Sequence, residues 1–241
     1  MEQMYTQEYQ ITPGDTDGFG FLRPGAMLYL AQEMAGSHCK LLGLDQENMD
    51  SRGLFWAVSR HKVKISRLPR VGETVLLQTW PMPTTRVAYP RILQATDKNG
   101  EELFQVLSLW VLMDRQTRVM VLPGKSGVEV VGYLRGNEMQ PPLGLPAKEL
   151  PQLLLRQVKP EDLDHNKHMN NTRYLDWVCD LLPGDFWRTN TLAECTACYL
   201  AEALEGQQLM LNWGFLQEKL LQVDIHREGS RIFSARLQFG E

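Results

Sequence analysis

The stretch from Asp162 to Val178, DLDHNKHMNNTRYLDWV, places a polar turn directly before a helix. The turn concentrates six side chains that are able to act as an acid, a base or a partner for a carbonyl group. Asn170 or Asn171 suits the N-cap of the helix, because an amide oxygen there accepts a backbone N–H. A helix N-terminus also offers N–H groups and a positive dipole end, which favour a developing oxyanion. The stretch therefore predicts a helix whose start is equipped for chemistry.

An earlier part of the chain repeats this order of turn, helix and antiparallel strands, which indicates an internal duplication. Aligned without gaps at the turn, Asp15 and Asp17 fall on Asp162 and Asp164, and further along the chain Gly72 matches Gly206. At three aligned positions the first copy has an apolar residue and the second a polar one: Phe19 and Asn166, Phe21 and His168, Leu68 and Glu202. A purely structural requirement would constrain both copies alike. The asymmetry therefore predicts chemistry in the second copy and apolar contacts in the first.

Hydrophobic periodicity extends this pattern outward over the rest of the chain. The helix of the first copy opens near Pro24, and its apolar stripe runs through Leu28, Ala31 and Ala35. Strands are predicted at Tyr9–Ile11, Trp56–Ile65, Thr74–Trp80, Val87–Ala95, Leu103–Met113, Thr196–Ala201, Leu209–Phe215, Leu220–His226 and Ile232–Phe239. The strand Leu103–Met113 is apolar on both faces and should be central. The alternation in Leu220–His226 predicts a sheet with one face in water.

The frequent prolines and glycines of residues 122–160 predict a surface linker with one short helix near residues 150–155. We therefore expect an N-terminal module at residues 1–121, the linker at 122–160, and a C-terminal module at 161–241. At 241 residues, the chain is long enough for two modules of roughly 110–120 residues each.

Composition excludes several classes of protein. The net charge of -4 argues against nucleic acid as a partner. The N-terminus is polar and acidic, unlike a signal or transit peptide, and no apolar run approaches the roughly 20 residues that span a membrane. The cysteines Cys39, Cys179, Cys195 and Cys198 lack zinc-ligand spacing and are interpreted as reduced thiols. We therefore expect a cytoplasmic protein without a membrane span.

The polar turn is compatible in principle with three other interpretations. A calcium loop starting at Asp162 would need glycine and glutamate where the chain has Lys167 and Arg173. A metal bound by His165 and His168 would lack a third histidine at useful spacing. The third interpretation, a capping turn whose side chains, Asp162 and Asn170 among them, merely satisfy backbone groups, stays open from spacing alone. We predict no metal and no other cofactor.

Residues 162–178 closely resemble the hallmark segment of acyl-acyl-carrier-protein thioesterases. The segments Gly53–Arg60, Arg67–Val75 and Leu109–Arg118 are similar to the first module of that family, so the resemblance covers about residues 5 to 239. It implies an α+β fold, the double hot-dog, in which each of two fused modules wraps an antiparallel sheet around a long helix.

The resemblance also implies a catalytic set of an aspartate, asparagine and histidine in a D-x-N-x-H turn, with a glutamate on a later strand. In this chain these are Asp164, Asn166, His168 and Glu202. The glutamate is the least secure assignment, because the family usually has Arg-Glu-Cys where this chain reads Ala201-Glu-Ala203. A cysteine nucleophile at that position is therefore excluded.

The implied function is hydrolysis of fatty acyl-acyl carrier protein to a free fatty acid, with the carrier protein as partner. Backbone N–H groups at the start of the Asn170 helix would hold the oxyanion, and Asp164 would either orient His168 or attack directly. The first module, with Met27 and Met34, would take the acyl chain. An acyl-CoA thioesterase and a non-catalytic acyl-binding protein are the alternatives, and both a single copy and a homodimer are compatible with a fused double module.

Overall fold

A computed structural model describes residues 3–164 and 166–240 of the chain. The chain divides into two compact units, with the boundary between Pro141 and Pro142. Residues 122–141 of the predicted linker therefore belong to the first unit, and residues 142–160 belong to the second.

The first unit wraps one antiparallel sheet around a long helix. The 18-residue helix α1 packs against the strands β3, β4 and β5, and the three residues of the predicted apolar stripe, Leu28, Ala31 and Ala35, are all buried. The strands run in the order β1-β3-β4-β5-β2, with β6 beside β5. The elements are β1 (Tyr5–Gln10), α1 (Pro24–Leu41), α2 (Gln46–Ser51), β2 (Leu54–Ile65), β3 (Thr74–Pro81), β4 (Tyr89–Thr96), β5 (Glu102–Asp114), β6 (Met120–Val121) and α3 (Pro123–Ser126).

The second unit repeats this plan with a shorter helix, α4, which packs against β11. Its strands run in the order β8-β11-β10-β9-β7, all antiparallel. The elements are β7 (Gln152–Gln157), α4 (Asn171–Cys179), α5 (Gly184–Thr189), β8 (Thr191–Tyr199), β9 (Gln208–Gln217), β10 (Leu220–Arg227) and β11 (Ser230–Gly240).

The central position predicted for Leu103–Met113 is confirmed. β5 lies between β4 and β2, and its side chains are buried on both faces. Val106 and Phe104 are fully buried, and Leu107 and Leu109 pack in an apolar cluster with Trp80 and Ile92.

The helix predicted near residues 150–155 is wrong, because this segment forms strand β7 at the edge of the second sheet. Leu154 pairs with Leu211 of β9 in an antiparallel register. A short apolar run does not distinguish a helix from a strand, and here a partner strand more than fifty residues away decides the outcome by supplying backbone hydrogen bonds.

The prediction that one face of β10 is in water is also wrong. Gln222 and Asp224 are 0% and 1% exposed, because residues of the segment that precedes β7 cover them. The Gln222 side chain donates to the carbonyl of Pro146 at 2.9 Å, and the Lys148 N–H donates to Asp224 at 3.3 Å. The alternation correctly places the polar side chains on one face of β10. It could not predict that residues from a distant part of the chain would cover this face and supply hydrogen-bond partners.

Candidate active site

The turn before α4 is held from within by Asp162, which is almost fully buried. Its Oδ1 accepts hydrogen bonds from Arg173 Nε and Trp177 Nε1, each at 3.1 Å. Its Oδ2 accepts the backbone N–H of Lys159 at 3.1 Å. The interpretation of Asp162 as a residue that satisfies backbone groups is therefore confirmed, and its bonds anchor the turn to the helix.

Asp164 shapes the tip of the same turn. Its Oδ1 accepts the backbone N–H of Asn166 at 2.8 Å and that of His168 at 3.2 Å. Within the described residues, no hydrogen bond joins this carboxylate to the His168 ring. The contacts of Asp164 are thus with the backbone, in the manner of an Asx turn.

His168 and Glu202 lie together, although 34 positions separate them in the sequence. A short β-bridge joins the turn to the loop that carries Glu202: the Met169 N–H donates to the carbonyl of Ala203 at 2.8 Å. The His168 Nδ1 lies 3.5 Å from Glu202 Oε1, and the two side chains are 25% and 49% exposed. This distance is longer than a good hydrogen bond but keeps the ring nitrogen close to the carboxylate.

Asn166 lies at the exposed tip of the turn, two residues before His168. The structure therefore brings His168 and Glu202 together and directs the Asp164 carboxylate to the backbone, while Asn166 is exposed two residues before His168. His165, the other histidine of the turn, lies outside the described residues.

The start of α4 is capped by Asn170, as predicted. Its side-chain oxygen accepts the N–H of Thr172 at 3.0 Å, and its carbonyl accepts the N–H of Arg173 at 3.0 Å. These two N–H groups are engaged within the helix start, so the oxyanion role predicted for this helix does not extend to them.

An aromatic cluster lies beneath the start of α4. The Tyr174 ring is 4.9 Å from that of Phe233, and the Tyr199 ring is 5.2 Å from it. The Tyr199 hydroxyl donates to the carbonyl of Asn171 at 3.0 Å. Burial raises the pKa of Tyr199 well above its usual value, which keeps this hydroxyl a donor. Sequence analysis missed the cluster, whose members come from three elements.

Arg227 lies at the end of β10 and belongs to no motif that the sequence analysis singled out. Its guanidinium donates to the carbonyl oxygen of Glu202 at 2.7 Å. A basic residue next to the turn of a hairpin has no signature that would have distinguished it from a solvated one.

Cys195 and Cys198 are buried, whereas Cys39 and Cys179 are half-buried. Cys195 is buried in β8, and burial raises the pKa of its thiol. Ala203, which follows Glu202, is fully buried. In residues 3–164 and 166–240, no three histidine, cysteine or acidic side chains are grouped so that they could hold a metal ion.

Two family models match the chain. The N-terminal domain of the acyl-ACP thioesterases matches residues 2–122, and the C-terminal domain matches residues 148–241. The chain belongs to the acyl-ACP thioesterase family. The family predicted from residues 162–178 is therefore confirmed.

Curated relatives are plant members of this family. A chloroplastic acyl-[acyl-carrier-protein] hydrolase of Cuphea viscosissima is 29% identical over 82% of this chain and 50% of its own length. A chloroplastic palmitoyl-acyl carrier protein thioesterase of Cuphea hookeriana is 29% identical over 71% of this chain and 45% of its own length. The chain thus spans about half the length of these relatives.

Solved structures confirm the predicted fold, the double hot-dog of the α+β class. An acyl-ACP thioesterase from Bacteroides thetaiotaomicron has a TM-score of 0.90 at 23% identity, over 99% of this chain and 98% of that one. The 12:0-ACP thioesterase from Umbellularia californica has a TM-score of 0.84 at 22% identity, over 100% of this chain and 98% of that one. Within the described residues, every helix is too short or too polar to cross a membrane.

Proposed function

We propose that this thioesterase-family chain hydrolyses fatty acyl-acyl carrier protein to a free fatty acid and the carrier protein with its thiol restored. The approach of His168 Nδ1 to Glu202 Oε1 in the second unit is the observation that carries the proposal. It joins an imidazole to a carboxylate, the combination from which many hydrolases build a general base.

In the proposed mechanism, Glu202 keeps Nδ1 of His168 protonated, so that Nε2 is free of its proton and faces the reacting water. Nε2 takes a proton from that water while its oxygen attacks the thioester carbonyl carbon. Asn166 supplies an uncharged amide that holds the water or polarises the carbonyl. The tautomer follows from the position of Glu202, since the ring nitrogen that faces a carboxylate carries the hydrogen.

The tetrahedral intermediate then collapses with cleavage of the C–S bond. The electron pair leaves with sulfur, and the imidazolium returns its proton to the thiolate. Because a thiolate is a good leaving group, the reaction depends on activation of water more than on acid catalysis.

We assign Asp164 to the turn and not to the attack on the thioester. Its Oδ1 already accepts two backbone N–H groups. A single turnover in heavy-oxygen water tests this assignment, because a mixed anhydride at Asp164 would leave the label in its carboxylate. We expect label in the fatty acid alone, and label in Asp164 would contradict the assignment.

We propose that the first unit receives the acyl chain. Met27 and Met34 of α1 are 0% and 2% exposed, and flexible thioether side chains adapt to apolar ligands of varied shape. The same unit has phenylalanine at the two positions of its turn that correspond to Asn166 and His168, which suits apolar contact.

Release of free thiol, with analysis of the acid produced, tests the proposal across acyl lengths on carrier protein and on CoA. We expect faster turnover on carrier protein and a loss of about a hundredfold or more in Glu202→Gln. Glu205→Gln is the matched control, since Glu205 is an exposed glutamate of the same loop. Preference for CoA would indicate an acyl-CoA thioesterase, and binding without thiol release would indicate an acyl-binding protein.

A cytoplasmic location, the lack of a nucleic-acid partner and the choice between single copy and homodimer stay predictions.

A further inference from the structure

Glu202 lies in the loop of residues 200–207, between β8 and β9, and the Arg227 side chain of β10 contacts this loop. The Arg227 guanidinium donates to the carbonyl oxygen of Glu202 at 2.7 Å and to Gln207 Oε1 at 3.4 Å. Gln207 Oε1 also accepts the backbone N–H of Leu204 at 2.9 Å. Arg227 thus reaches the peptide of the proposed catalytic residue and the side chain that closes the loop.

The first unit shows what such a loop needs for folding alone. Glu73 occupies the position of Gln207 and likewise accepts a backbone N–H three residues earlier, that of Arg70 at 3.0 Å. The cationic side chain that pairs with Glu73 is Arg67, which donates to the Glu73 carboxylate at 3.1 Å. Arg67 belongs to the same loop, between β2 and β3. Closing the loop therefore does not require an arginine from a distant strand.

The second unit differs in the origin and the target of its arginine. Arg227 comes from β10, and its shorter bond goes to the carbonyl of the residue that carries the reactive carboxylate. A hydrogen bond from a charged guanidinium is stronger than one between neutral groups, and it resists rotation of the Glu202 peptide. The Glu202 side chain is half-exposed and approaches His168 at 3.5 Å, so a small rotation of its backbone would separate the pair.

We propose that Arg227 is a positioning residue for hydrolysis, which holds the Glu202 backbone so that the carboxylate faces His168. The inference rests on the proposed function. Arg227 takes no part in proton transfer, and its effect passes through Glu202.

The kinetic test uses Arg227→Gln, Arg227→Lys and the matched control Arg67→Gln, which removes the corresponding cation of the first unit. We expect Arg227→Gln to lower kcat about tenfold with KM within twofold, since misplaced catalytic groups slow chemistry more than binding. Arg227→Lys should recover most of kcat, and Arg67→Gln should leave it unchanged. In a Glu202→Gln background, Arg227→Gln should have no further effect.

A second measurement does not depend on turnover. The ring Cε1–H resonance of His168, assigned by its loss in His168→Ala, should move in Glu202→Gln and move in the same direction in Arg227→Gln, but not in Arg67→Gln. An unmoved resonance in Arg227→Gln, or an equal loss of kcat with and without Glu202, would overturn the inference. Absence of thiol release by the unaltered protein would refute the proposed function alone, because the resonance would still decide the role of Arg227.

Discussion

The turns that precede the two helices have the same backbone hydrogen bonds and different side chains. In the first, Asp17 Oδ1 accepts the N–H groups of Phe19 and Phe21 at 2.9 and 3.0 Å. In the second, Asp164 Oδ1 accepts those of Asn166 and His168 at 2.8 and 3.2 Å. The bridge to the later loop is also shared: Leu22 N–H donates to Pro69 at 2.9 Å and Met169 N–H donates to Ala203 at 2.8 Å.

The side chains on this common backbone serve different ends. Phe21 is the counterpart of His168 in the first unit. The Arg70 guanidinium carbon lies over the Phe21 ring, 4.6 Å from the ring centroid. His168 instead faces a carboxylate and is partly open to solvent. The comparison teaches that the turn is a scaffold, and that replacement of a few side chains separates a packed turn from one that pairs an imidazole with a carboxylate.

The largest effect is expected from the position that differs most. His168→Ala should lower kcat by about a hundredfold to ten-thousandfold, because it removes the proposed general base. Its counterpart, Phe21→Ala, should lower kcat less than tenfold, since it removes only apolar contact. Steady-state thiol release by both variants measures the difference. Similar losses in the two variants would break the comparison.

The shared aspartates Asp17 and Asp164 should contribute equally to the stability of the protein. Asp17→Ala and Asp164→Ala each remove an acceptor for two backbone N–H groups, so each should lower the free energy of unfolding by about 1–2 kcal/mol. Urea denaturation of the two variants provides the measurement. A loss at Asp17 alone would show that Asp164 is not needed for the turn.

A smaller effect is expected at an aligned position where the second turn has a left-handed backbone conformation. Gly20 has φ of +80°, and Lys167 takes the same left-handed conformation with φ of +63°. Lys167→Gly should therefore raise the free energy of unfolding by about 1 kcal/mol, and Gly20→Lys should lower it by a similar amount. Thermal unfolding checks both. A destabilised Lys167→Gly would mean that the lysine side chain makes a stabilising contact that outweighs the strain.

The smallest effect is expected at the cysteines of β8. Burial raises the pKa of Cys195, so its thiol should resist alkylation in the folded protein, and Cys195→Ser should change kcat less than threefold. Mass spectrometry after brief iodoacetamide treatment gives the reactivity. Rapid modification of Cys195 with loss of thiol release would contradict this account.

The duplication and its register could be predicted from the sequence, because aspartates and glycines mark turns by position. Asp17 and Asp164 align without gaps and make the same bonds. The partners of distant segments could not be predicted in this way. β7 depends on β9 for its pairing, and the burial of Asp224 depends on Lys148.

The residues of the candidate site also differ in whether the sequence could predict them. His168 and Asn166 lie in a continuous polar turn that spacing alone singles out. Glu202 was assigned through the family resemblance and the aligned Leu68, and the structure places it beside His168. Arg227 could not be predicted, because it contacts a backbone carbonyl, and such a contact leaves no mark in the sequence.

A double-mutant cycle of His168→Ala and Glu202→Gln, read by single-turnover thiol release, tests most directly whether these two residues act as one base. We predict that the double variant is little slower than either single variant, because removal of one partner already disables the other. Losses that multiply in the double variant would show that the two side chains act independently, and would contradict the pairing on which this account depends.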